Sequence, residues 1–246
     1  MHAVTLVLAG VLGGLAGSIA GFASVATYPA LLAMGLPPVA ANVTNTVALV
    51  FNAVGSMLGS RPELAGQGPR LRRIAPVAAA GGALGAVLLL STPPGGFEKL
   101  VPILLAFASL AIVAPRGTTP THPASRRNVV VLAAATFLIA IYGGYFGAAA
   151  GVLLLALILR TGEASLAHAN ADKNVILGVA NAVAAVVFAV WAPVHWLAVI
   201  PLGAGCLLGS RLGPVVVRHA PATPLRILIG LAGLGLAVKL GFDAYR

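Results

Sequence analysis

The sequence predicts an all-α, polytopic integral membrane protein of about eight apolar segments in two inverted repeats, with segments one and five broken or re-entrant. Three observations carry that prediction. The chain is 59% hydrophobic and only 8% charged, with a mean hydropathy of +1.02, whereas an ordinary soluble domain is about 25% charged. So little charge cannot coat 246 residues against water, so lipid is the solvent for most of the surface. The chain also repeats itself: Asn52-Ala53-Val54 returns as Asn181-Ala182-Val183, and Ala80-Gly81-Gly82-Ala83-Leu84-Gly85-Ala86 is echoed by Ala204-Gly205-Cys206-Leu207-Leu208-Gly209-Ser210. Finally, the basic residues distribute as a two-sided membrane topology requires.

A helix crossing roughly 30 Å of hydrocarbon needs about 20 apolar residues. Runs of that kind fall at 4–34, 39–59, 74–92, 97–115, 128–159, 166–190, 194–212 and 223–242, separated by short hydrophilic turns. They form one transmembrane domain over 1–246, with repeat one at 1–115, a connecting loop at 116–127 and repeat two at 128–246. Met1-His2-Ala3 lacks the basic start of a secretory signal, so the first segment is expected to be mature structure.

Segments one and five are too long for one straight span and too short for two. Glycines punctuate both, at Gly10, Gly13, Gly14, Gly17 and Gly21 and at Gly143, Gly144, Gly147 and Gly151. Glycine weakens a helix by about 1 kcal/mol relative to alanine and allows positive φ and close backbone approach. Both properties suit a broken helix whose bare backbone is covered by protein; close packing of small residues is the alternative reading. Charge separates the layouts. Of 15 Lys and Arg, single crossings by all eight segments leave nine on the side of the Arg61–Arg73 loop, whereas entry and return by segments one and five puts twelve there. The positive-inside rule favours the second layout, in which the halves sit upside down to each other and both termini lie outside. Interrupted segments in paired halves point to a transporter site at the bilayer midplane.

Polar residues inside the apolar runs mark that site. Asn42, Asn45 and Asn52 share roughly one helix face with Thr44 nearby, and Asn170, Asn174 and Asn181 share another. Interhelical hydrogen-bond glue is one reading of such amides. Their symmetric placement beside two glycine breaks favours a substrate path, with Gly17, Gly21, Gly143, Gly144 and Gly147 exposing backbone and half-helix N-termini offering N–H groups to an anion. Asp172 and Lys173 are either an interfacial pair or, respectively, a titrating group and a cation for the substrate. Protons are a candidate coupling ion, with Asp172, His168 and His195 as thin support. No metalloprotease, nucleophile-elbow, paired-cysteine or Walker pattern occurs, so an enzyme, a cofactor and a metal are not expected. The +10 charge reads as membrane orientation and headgroup contact rather than nucleic-acid binding. Oligomeric state stays open, a homodimer included.

The chain resembles the sulfite exporter TauE/SafE family of membrane transporters. Gly17 and Gly21, Tyr28-Pro29, Gly35-Leu36-Pro37-Pro38, Ala40 and Thr44-Asn45 carry the likeness in the first half; Gly143-Gly144-Tyr145-Phe146-Gly147 and Ala171-Asp172-Lys173 carry it in the second. Gly21-Phe22-Ala23 stands where the family usually has consecutive glycines, and Ala171 where it usually has threonine. The family register pairs Thr44-Asn45 with Ala171-Asp172, two residues from the register that pairs Asn52 with Asn181. The resemblance implies alternating-access secondary transport of a small anion across the cell membrane, sulfite or an organosulfur or carboxylate anion. An anion channel and an intramembrane enzyme are the rival classes.

Overall fold

The computed structural model describes residues 2–113, 126–148, 150–160, 165–219 and, beyond these, 231, 234, 235, 237, 238, 241 and 242. Most of the predicted 223–242 segment and of the 116–127 connection lies outside the described residues. Everything described in regular structure is helical: α1 (His2–Ala20), α2 (Ala23–Ala33), α3 (Pro38–Gly59), α4 (Arg61–Leu64), α5 (Gly68–Ser91), α6 (Pro94–Val113), α7 (Arg126–Tyr145), α8 (Ala150–Arg160), α9 (Leu166–Trp191) and α10 (Trp196–His219). Five of these helices are long and apolar enough to cross a bilayer. Side-chain placement is inverted relative to a water-soluble protein. Val4, Leu8, Leu12, Val186, Val190, Leu197 and Ile200 are exposed, while Asn42, Thr44, Asn45, Asn170, Asp172 and Lys173 are buried. Only a lipid solvent makes that arrangement favourable. The chain is a multi-pass integral membrane protein.

Regular helix stops between Ala20 and Ala23 in the first long segment and between Tyr145 and Ala150 in the fifth. Gly21 and Gly147 hold φ of +87° and +73°, a conformation that only glycine adopts without strain. At the first interruption the chain turns back, so that Gly17 faces Ala23 and Gly13 faces Thr27, setting α2 antiparallel to α1. At the second, Gly143 faces Ala150, and Tyr142 Oη donates to Ala148 O at 2.6 Å. The interruptions meet: a Cβ on Gly21 would lie 2.4 Å from Gly151 Cα, and the Tyr28 and Phe146 rings stand edge to face at 5.4 Å.

The glycine-rich echo turns out to join the halves rather than to act within each. Gly205 and Gly209 of α10 lie on Val7 and Val11 of α1, and Gly10 and Gly14 lie reciprocally on α10 around Leu202–Ser210. Likewise Gly81 and Gly85 of α5 lie on Phe137–Tyr145 of α7, and Gly82 lies on Ala180 of α9. Each helix from one half therefore seats on the broken helix of the other, at a distance that no side chain would permit. The order of these contacts also fixes direction. Rising numbers in α1 and α3 match rising numbers in α10, as Gly55 meets Leu207 and Ser210 and Gly59 meets Arg211 and Pro214. Rising numbers in α7 and α9 match rising numbers in α5. Because α3 ends at Gly59 and α5 begins at Gly68, these two sets run opposite ways.

One end of the bundle gathers basic residues. Arg218 at the end of α10 donates to both Glu63 oxygens, at 2.6 and 2.7 Å, and to Gly59 O at 2.9 Å. The α10 end therefore lies on the same face as the Arg61–Arg73 stretch, which single crossings by all eight segments would have placed opposite it. The hydrogen bonds from Arg218 hold the Glu63 carboxyl below the usual carboxylate range. Stability from this pair is thus present above the unfolded carboxylate pKa and lost as pH falls through the lower folded value. Replacing Glu63 with Gln is expected to destabilise the protein at neutral pH by about 1 kcal/mol or less for a pair this accessible, read as a slightly lower melting temperature. It should also flatten the acid side of the melting profile; unchanged melting between pH 7 and pH 4 relative to the parent would contradict this.

Candidate functional site

An interrupted helix leaves its last carbonyls and the first N–H groups of the next helix without intrahelical partners. In hydrocarbon those groups need protein partners. At the end of α1 the partners come from α9. Asn170 Nδ2 donates to Ser18 O at 2.8 Å, Lys173 Nζ to Gly17 O at 3.0 Å and to Ser18 O at 3.5 Å, and Asn174 Nδ2 to Ser18 O at 3.3 Å. A fully buried ammonium thus sits at the negative end of the α1 dipole, where a cation is favoured. At the end of α7 the partner comes from α3, with Asn42 Nδ2 donating to Tyr145 O at 2.8 Å. Each half caps the broken helix of the other.

Asn45 does a different job. It ties α3 to α2, accepting from Thr27 Oγ1 at 2.5 Å and donating from Nδ2 to Ser24 Oγ at 3.0 Å. Thr44 Oγ1 accepts from the His195 N–H at 3.0 Å, joining α3 to the turn before α10. Asp172 is buried with Arg70 Nη1 3.6 Å from Oδ2, and neither carboxylate oxygen accepts a hydrogen bond among the described residues. Gly144 serves helix packing: a Cβ there would lie 2.3 Å from Gly82 O. Gly143 lies beside Leu177 and Ala150.

The remaining predicted residues converge. A cavity of about 40 Å³, room for roughly three water-sized bodies, is lined by Gly17, Gly21, Asn52, Gly147, Asn174 and Asn181, with Ser24 and Gly178 among the other walls. It lies where α3 and α9 cross, at Ala53 and Gly178, and where α2 begins. Phe22 gives α2 no side-chain cap, and the start of that helix borders the cavity at Ala23 and Ser24. The amides of Asn52 and Asn181 make no hydrogen bond among the described residues, and Asn52 Oδ1 is fully buried. Of the predicted set, the structure brings together Gly17, Gly21, Asn52, Gly147, Asn174 and Asn181. It places Asn42, Thr44, Asn45, Lys173 and Asp172 in contacts between helices. Ser24 and Gly178 had no signal in the sequence, and Ala53 had only its place in the repeated Asn-Ala-Val string; all three become wall residues through the α2, α3 and α9 crossings.

A helical membrane bundle with its polar side chains turned inward, around a small neutral cavity at two helix interruptions, has the anatomy of a membrane transporter. The model of the family described as "Sulfite exporter TauE/SafE" matches residues 6–240, and the chain belongs to that family. It is similar over most of its length to proteins named as probable membrane transporters. These include ORF9 of Sinorhizobium sp, 26% identical over 244 residues and covering 97% of this chain and 92% of that one. A Haemophilus influenzae protein is 26% identical over 92% of this chain and 89% of its own length. YfcA of Escherichia coli K12 is 23% identical over 95% and 87% respectively. The protein is a membrane transporter for a small anion and not an enzyme.

Because Lys173 caps α1, its removal is expected to act without any ligand present. Gly17 O keeps the Gly21 N–H and Ser18 O keeps Asn170 and Asn174, so Lys173→Met removes charge-assisted hydrogen bonds rather than baring a carbonyl. It should destabilise the purified protein by about 1.5–3 kcal/mol, read as a lower melting temperature in detergent. An unchanged melting temperature would show that the cap contributes nothing.

Proposed function

We propose that this protein is a secondary transporter that carries a small oxyanion or carboxylate through the cavity by alternating access between two inverted repeats, 1–115 and 128–246. The observation that carries this reading is the pair of unpartnered amides, Asn52 and Asn181, facing one small cavity at the meeting of two helix interruptions. They occupy equivalent places in the two Asn-Ala-Val strings. The opposite running of α1, α3 and α10 against α5, α7 and α9 supports an inverted relationship, and the backward turn at Gly21 supports a re-entrant first segment. The family description supports sulfite as the first anion to try, with organosulfur and carboxylate anions beside it. A carrier rather than a channel is supported by the size of the cavity, which matches one small ligand.

In proteoliposomes loaded with sulfite, the parent should show saturable counterflow. Asn52→Ala and Asn181→Ala should each lower it by about tenfold or more, in line with the loss of one or two hydrogen bonds to a charged ligand, while melting stays within a few degrees of the parent. Unsaturable flux would favour a channel, and full activity in both variants would remove the cavity from the transport path.

A further inference from the structure

The cavity is built for charge in an unusual way, because no ionic side chain lines it. Among the helices that wall it, α1, α2 and α3 contain no Asp, Glu, Lys or Arg. On α9, Lys173 is directed at the α1 carbonyls and Asp172 faces Arg70 of α5, while His168 bonds Ser165 at the start of the helix. What the cavity offers instead is the N-terminus of α2, the Ser24 hydroxyl, and the amides of Asn52, Asn174 and Asn181. Asn45 donates to Ser24 Oγ, which leaves the Ser24 proton available to a ligand oxygen.

We propose that the cavity selects a singly charged oxyanion that still carries an acidic proton, such as hydrogen sulfite, over the corresponding dianion. This rests on the cavity being the substrate site. Two physical arguments lead to it. A helix N-terminus supplies about half a positive charge, and neutral donors supply dipoles; together these balance one negative charge far better than two in a water-poor interior. The second argument concerns acceptors. An amide in either orientation presents a carbonyl oxygen as well as an NH₂, and the buried Asn52 Oδ1 accepts nothing from the protein. A fully deprotonated oxyanion has no proton for it and sets oxygen against oxygen, whereas a hydrogen oxyanion donates its O–H there and satisfies the orphan.

The test is ligand binding to the purified full-length protein at constant ionic strength, with sulfite across its second ionisation and with two anions that do not titrate in that range. Sulfate is a dianion; methanesulfonate is a monoanion of similar shape that lacks the proton. Sulfite affinity should fall about tenfold per pH unit above the ionisation, as the competent species is consumed, while methanesulfonate affinity stays flat. The expected order is hydrogen sulfite, then methanesulfonate, then sulfate, with about tenfold or more between the first and the last. Sulfate binding as tightly as hydrogen sulfite, or sulfite affinity rising with pH, overturns the inference. If dianions are preferred and Asn52→Leu abolishes their binding, the cavity remains the substrate site and only the charge selection falls. If Asn52→Leu and Asn181→Leu bind every anion as the parent does, or if the parent binds none of them, both readings fall.

Discussion

Breaking a helix inside hydrocarbon strands backbone carbonyls and N–H groups where water cannot reach them, and this one constraint organises much of the molecule. Each buried group left unpaired costs about 1–3 kcal/mol. At the end of α1, Ser18 O takes its partners from Asn170, Lys173 and Asn174 of α9, and Gly17 O adds Lys173 to the Gly21 N–H it already holds. The end of α7 exposes Tyr145 O, and α3 answers with Asn42. These donors come from the other half of the chain in both cases. So do the glycine surfaces, Gly205 and Gly209 on α1 and Gly81 and Gly85 on α7. Each half satisfies part of its own interruption, as Tyr142 Oη does at Ala148 O, and takes the rest from the other half, whose residues also wall the cavity.

That division of labour separates structural amides from ligand-facing ones. Asn42, Asn45 and Asn170 each donate an NH₂ to a carbonyl or hydroxyl within the bundle, as Asn174 does at a longer 3.3 Å, although the Oδ1 atoms of Asn42 and Asn170 accept nothing among the described residues. Asn52 and Asn181 are left over, and they are the two that the repeated Asn-Ala-Val string brings to the same cavity. Lys173, the one cation within reach by sequence, is spent on a helix end. Its charge answers the α1 dipole, and no ionic side chain lines the cavity beside it.

Much of this was legible in the sequence, for definable reasons. Hydropathy and glycine content depend on local composition, and they located the long apolar helices through α10, though not the short α4 inside the polar stretch after Gly59; φ turns positive at Gly21 and Gly147, both among the glycines singled out in the sequence. Helix ends were less legible where a helix outlasts the apolar run. α5 begins at Gly68 rather than 74, because Arg70, Arg72 and Arg73 extend it beyond the hydrocarbon, and α10 continues past 212 to His219 for the same reason. The partner of Lys173 was not legible at all. A lysine beside two asparagines reads equally as ligand site or cap until α1 is known to end opposite it. Register between the repeats was open by two residues, and joint exposure of Asn52 and Asn181 to one cavity supports the register that pairs them.

The two kinds of contact between the halves also differ in what they tolerate. Where Gly205 lies on Val7 or Gly85 on Ile141, backbone meets backbone with no room for a Cβ, and displacement of even an ångström forfeits much of the dispersion gained. α1 with α10, and α5 with α7, are therefore best regarded as stiff pairs. The caps are more forgiving. The Lys173 ammonium carries three donors and stands 3.0 and 3.5 Å from two successive carbonyls, so a small shift of α9 along α1 exchanges one acceptor for the next without leaving either end bare. Gly178 meets the small side chain of Ala53 where α3 crosses α9, with the cavity directly beside it. Under the proposed alternating access, the stiff pairs would move against each other along that crossing, and the free amides lie beside it.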